Sequence, residues 1–104
     1  MKRTKSMKYQ ETTESRELML YATNNGDLYR SMITAVIDNL RKKAIKGTYD
    51  SDKAVDAYYH VACEASKMYN KEFGYSFSVG DRFTAAVEME RYYKEDQVFY
   101  GVEV

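Results

Sequence analysis

Four stretches of the chain repeat apolar residues at helical spacing, separated by glycines and short polar clusters. The first holds Leu18, Met19, Leu20, Tyr21 and Ala22. Thr12 or Thr13 suits its N-cap, and Glu14 and Glu17 suit the positive end of its dipole. It then meets Asn24-Asn25-Gly26-Asp27. Gly26 is expected to take the left-handed conformation that ends a helix, and Asp27 to cap the next one. The stretch then reads as a corner between two helices, with a ligand-binding loop as the alternative.

The second helix is expected from about Leu28 to Lys46. Leu28, Met32, Ala35, Val36, Leu40 and Ala44 make its stripe, and Ile33 and Ile37 widen it. That width suggests a central helix. Gly47 stops it, and Arg41, Lys42, Lys43 and Lys46 lie where the helix dipole is negative. Thr48, Asp50 or Ser51 starts a third helix. There Ala54, Tyr58, Val61, Ala65 and Met68 form one row, with Val55, Tyr59, Ala62, Tyr69 and Phe73 beside it. The alanines at 54, 57, 62 and 65 permit close approach of a neighbouring helix. Gly74 ends the run, residues 75–78 read as an extended connector, and Ser78 with Asp81 reads as a capping-box variant. A fourth helix carries Phe83, Ala86, Val87, Met89 or Glu90, and Tyr93, and is expected to fade by Glu95. Val98, Phe99, Tyr100, Val102 and Val104 favour extended structure, so a short C-terminal strand or a tail packed against the helices is expected. The fold class predicted is all-α: a compact bundle of about four helices with short connections. It comprises residues 12–104, preceded by a flexible basic arm at residues 1–11.

At 104 residues, the chain matches one domain of common size. The absence of proline favours uninterrupted helices. Sixteen basic and sixteen acidic residues cancel, which argues against binding nucleic acid through overall charge. The distribution is nonetheless uneven. Residues 1–10 carry Lys2, Arg3, Lys5 and Lys8 without an acid, whereas Glu88, Glu90, Glu95, Asp96 and Glu103 gather near the C-terminus. Cys63 is the one cysteine, so a reducing compartment is the simplest setting. No apolar run reaches the ~20 residues of a membrane span, and no apolar stretch follows the basic N-terminus as in a signal peptide. A cytoplasmic location is expected.

Chemistry-bearing patterns are sparse. His60, Cys63 and Glu64 share a helical face, but there is no second histidine and no recognised zinc spacing. Glu64 and Glu90 can approach only across a bundle core. The glycines at 26, 47, 74, 80 and 101 stand singly, so no phosphate-cradling loop is visible. No catalytic residue, metal or cofactor is implied. The eleven tyrosines are the unusual feature, since tyrosine supplies large contact area at little entropic cost. Tyr58 and Tyr69 are expected in the core, and Tyr9, Tyr29, Tyr49, Tyr75 and Tyr100 at edges or exposed. Tyr29 and Tyr49, beside the two corners, are the first candidates for partner-binding anchors. Lys42, Lys43 and Lys46 are the candidate anion contacts.

Asn24–Tyr29 (N-x-G-x-L-Y), Asn39–Lys43 (N-L-x-K-K), Lys46–Asp50 (K-G-x-Y-D) and Tyr69–Gly74 (Y-x-K-E-F-G) together resemble a family of small uncharacterised proteins encoded by bacteriophages and mobile elements. The resemblance spans residues 21–94. It implies a non-enzymatic accessory protein in a bacterial host that binds and inhibits a host protein, such as a CRISPR or other defence component. The alternative is a nucleic-acid-binding accessory protein using the basic arm and the basic end of the second helix. A homodimer stays open, and no membrane partner is expected.

Overall fold

The computed structural model describes residues 11–102, so the basic arm expected at residues 1–11 lies, except for Glu11, outside the described residues. The described residues form a small all-α bundle of four helices. Helix α1 is Thr13–Thr23. Helix α2 runs through Gly26–Leu28, a π-helical turn at Tyr29–Ile33, and Thr34–Lys46. Helix α3 is Ser51–Phe73. Helix α4 is Val79–Tyr93, followed by a second π-helical turn at Lys94–Val98. No strand occurs among the described residues: the helix continues in π form through Val98, and Val98, Phe99 and Val102 pack against the helices, so of the two expectations for the tail the packed one holds through Val102.

Thr12 caps α1. Its hydroxyl accepts from Ser15 N–H at 2.9 Å, and its own N–H donates to Ser15 Oγ at 2.9 Å, a capping box with serine at the third position. The same Thr12 hydroxyl donates to Asp81 Oδ1 at 2.9 Å, which ties the start of α1 to the start of α4. Ser78 caps α4 by accepting from Asp81 N–H at 3.0 Å. The Asp81 carboxylate therefore serves the α1 contact rather than reaching back along its own chain.

Residues 24–27 do form a corner, but its parts are exchanged relative to expectation. The left-handed glycines are Gly47, Gly74 and Gly101; Gly26 is instead the first residue of α2. Asn25 is the cap, its side chain accepting from Leu28 N–H at 3.0 Å. Asp27 sits in the exposed first turn and pairs with Arg30 at 2.9 Å.

The π turn resets the register of α2. Thr34 N–H bonds to Tyr29 O, five residues back, which inserts one residue into the helix. Ile33 thus takes the core position that Met32 would hold one α-helical turn after Leu28. Leu28, Ile33, Ile37, Leu40 and Ala44 are buried, whereas Met32 and Val36 are half-buried and Ala35 is exposed. Helix α2 flanks the bundle, lying mainly against the π turn after α4, and the central element is α3. Helix α3 packs against both α4 and α1. The contact is rich in small residues: Ala54, Ala62 and Ala65 on α3 and Ala85 and Ala86 on α4 are fully buried. Small side chains let helix axes approach closely. Tyr58 and Tyr93 stack at 5.9 Å between ring centroids and fill the volume at the α2 end of the contact.

Candidate partner-binding face

The sequence-predicted site residues do not meet in one place. Tyr29 and Tyr49 are half-buried, with their hydroxyls already engaged. Tyr29 packs on Tyr93 at 6.4 Å and donates to Gln97 Oε1 at 3.2 Å. Tyr49 packs edge-on to Phe99 at 5.0 Å and donates to Glu90 Oε2 at 2.7 Å. Both hold α2 and its following loop against the end of α4, half-buried at the edge positions expected of them. Lys42 and Lys46 are exposed and Lys43 half-buried, on the last turns of α2. Thirteen residues separate Tyr29 from Lys42, about 20 Å along a helix, so the two cannot share a small ligand. Arg41 points elsewhere. Its Nη1 donates to the carbonyls of Tyr100 at 2.6 Å, Gln97 at 3.3 Å and Val98 at 3.4 Å, closing the C-terminal turn.

Nor do the reactive side chains assemble. No group of three histidine, cysteine or carboxylate side chains converges among the described residues. His60 is exposed, Cys63 is half-buried, and Glu64 lies 4.0 Å from Lys67 on the same helix face. Glu90 instead meets Ser51, thirteen residues before Glu64 on α3 and so about 20 Å away along the helix. Glu90 is the buried carboxylate among the described residues, at 6% exposure. Its Oε2 receives the Tyr49 hydroxyl and, at 3.2 Å, the Ser51 hydroxyl, and lies 3.9 Å from Lys94 Nζ. This network fastens the start of α3 to α4. Burial and then the Glu90 carboxylate push the Tyr49 hydroxyl well above its ordinary range, so the phenol stays a donor.

The side chains that do gather on the surface are aromatic. Tyr69, near the end of α3, touches four rings: Tyr21 at 5.1 Å, Phe73 at 4.6 Å, Tyr75 at 6.4 Å and Phe77 at 4.9 Å. Tyr75 meets Phe77 at 4.9 Å. Gly74, at φ 74°, turns the chain so that the connector folds Tyr75 and Phe77 back onto α3. Phe77 is buried beneath, while Phe73 at 60% and Tyr75 at 43% exposure face outward. Two crossed hydrogen bonds frame the cluster. Tyr69 donates to Glu17 Oε2 on α1 at 3.1 Å, and Tyr21 on α1 donates to Glu72 Oε1 on α3 at 3.1 Å. Partial burial and these carboxylates raise both phenol pKa values, which keeps the hydroxyls protonated as donors. Leu20, 45% exposed, extends the apolar surface along α1 beside Glu17.

The expectation of a core Tyr69 is thereby corrected to a half-buried hub at the surface. The sequence signal for this face was the density of rings from Tyr69 to Phe77, broken by a single glycine. No helix among the described residues is long and apolar enough to cross a membrane. Comparison with known protein families, curated proteins and solved structures found no match.

Proposed function

We propose that this chain acts by binding another protein through the aromatic face of Tyr21, Tyr69, Phe73 and Tyr75, rather than by catalysis. One observation carries this reading. A preorganised cluster of five rings leaves Phe73 and Tyr75 facing solvent on a helix end whose neighbours are fixed by crossed hydrogen bonds. Rigid aromatic anchors of this kind dominate protein interfaces, because they bury large area while losing few rotamers. The polar groups at Glu90 and Arg41 are occupied in holding the fold. The resemblance to small phage-encoded proteins makes a bacterial host protein, including a CRISPR or other defence component, the partner class to test first.

The test is retention from a bacterial lysate on the immobilised chain, with and without nuclease. The reading expects a protein retained after nuclease treatment and lost with the Phe73→Ser/Tyr75→Ser double variant, whose thermal unfolding matches the parent. Retention that vanishes with nuclease contradicts it and favours the basic residues Lys42, Lys43 and Lys46 as a nucleic-acid surface.

A further inference from the structure

Beside the aromatic cluster lies an open depression of about 220 Å³, lined by Thr13, Glu14, Glu17, Tyr69, Tyr75 and Phe77. Pockets that enclose whole small molecules span roughly 300–1,000 Å³, so this one has room for a side chain rather than a cofactor. Its surface combines three rings with two carboxylates, and no cation among the described residues lines it. Glu17 uses Oε2 to accept from Tyr69, which leaves Oε1 for a ligand. Glu14 is exposed and makes no hydrogen bond or ion pair with the described residues. Glu14 and Glu17 stand three residues apart on α1, so they are neighbours on one helix face and repel each other. A cation between them relieves that repulsion, and ring faces add a cation–π attraction in the same place.

We propose that this depression receives a lysine or arginine side chain of a partner polypeptide, so that the aromatic face recognises a basic segment. The proposal rests on the protein-binding reading above and specifies the chemistry of its partner. Apolar contact with Phe73 and Tyr75 supplies area, while the Glu14–Glu17 pair selects charge. An acidic or neutral segment gains the first contribution and not the second.

The test uses the full chain in a two-dimensional amide NMR titration with an acetylated Gly-Lys-Gly-Arg-Gly amide peptide, against the same peptide carrying Gln for Lys and Arg. Saturable shifts are expected at Thr13, Glu14, Glu17, Tyr69 and Tyr75 with the basic peptide. Affinity should be about tenfold weaker for the Gln peptide and for the Glu14→Gln/Glu17→Gln variant, the order given by a cation–π contact with screened carboxylates. Glu17→Gln retains an acceptor for Tyr69, so the cluster keeps its geometry. Equal binding of the two peptides overturns charge selection while leaving the aromatic face as a binding surface. The absence of shifts at these residues overturns the site outright. Residues 1–10 carry four basic residues and no acid, so the same experiment tests them as an internal competitor. If changing Lys2, Arg3, Lys5 and Lys8 to serine strengthens peptide binding severalfold, the occupant is this chain's own N-terminal segment and the partner assignment falls.

Discussion

Replacing Arg41 decides whether the basic end of α2 serves the fold or a ligand. In Arg41→Met the apolar stem of the side chain is kept and the guanidinium is lost. Three carbonyl acceptors lose their donor: Tyr100 O at 2.6 Å, Gln97 O at 3.3 Å and Val98 O at 3.4 Å. A hydrogen bond from a charged donor contributes about 1.5–3 kcal/mol. The three do not add, because all come from Nη1 and two are long, and Arg41 is half-buried so water replaces part of the loss. The expected cost is about 2 kcal/mol. For a domain of this size each kcal/mol moves Tm by roughly 4–8 °C, so a fall of about 8–16 °C is expected. Arg41→Lys should recover little of this, since an ammonium is a compact donor without the planar fork that reaches several carbonyls. Thermal and urea unfolding measure the loss, and amide exchange locates it, with Val102 N–H in the turn at 3.0 Å from Phe99 O exchanging faster. A loss below about 0.5 kcal/mol refutes the structural role. So does an Arg41→Lys variant as stable as the parent, which would assign the effect to charge at the helix end.

Gly26→Ala should leave stability unchanged or raise it by up to about 1 kcal/mol, because Gly26 lies in α2 and an added Cβ meets only the mobile Arg30 guanidinium at 3.3 Å. Asn25→Ala should cost about 1 kcal/mol through the lost cap; thermal melts giving the reverse order contradict the corner as described. Alkaline titration gives a third check. Burial, followed by the neighbouring Tyr92 and Tyr29, pushes the Tyr93 hydroxyl from 10.0 up to about 12. The unfolded chain releases this proton near pH 10 and the folded chain near pH 12, so the contribution to stability is whole below pH 10 and is lost as pH rises to 12. Burial raises the Tyr58 hydroxyl as well, in the same direction. A Tm that stays flat from pH 10 to 12 contradicts this packing.

The helices were legible because their caps and stops are local. Thr12, Asp50 and Ser78 accept from backbone N–H groups two or three residues on, and Gly47 and Gly74 take positive φ, all within reach of sequence reasoning. The corner at residues 24–27 was legible in kind, yet two asparagines and an aspartate compete for one cap, and only the chain path chooses Asn25. The π turns were not legible. An inserted residue leaves the apolar spacing of α2 ambiguous between Met32 and Ile33, and tertiary contact with the end of α4 settles it in favour of Ile33. The fate of the tyrosines depends on partners distant in sequence. Tyr49 meets Glu90 forty-one residues away, and Tyr69 meets Glu17 fifty-two residues away. No local pattern separates these bound tyrosines from Tyr75, whose ring packs on Phe77 and still faces outward.

The aromatic face is tested most directly by site-specific photo-crosslinking in a bacterial lysate. Benzoylphenylalanine replaces Tyr75 in one chain and Tyr92, an exposed ring on the last turn of α4, in another. A single heteromeric adduct is expected from position 75, absent from position 92 and suppressed by Phe73→Ser. Adducts from position 92 alone, or from position 75 only to a second copy of this chain, would contradict it.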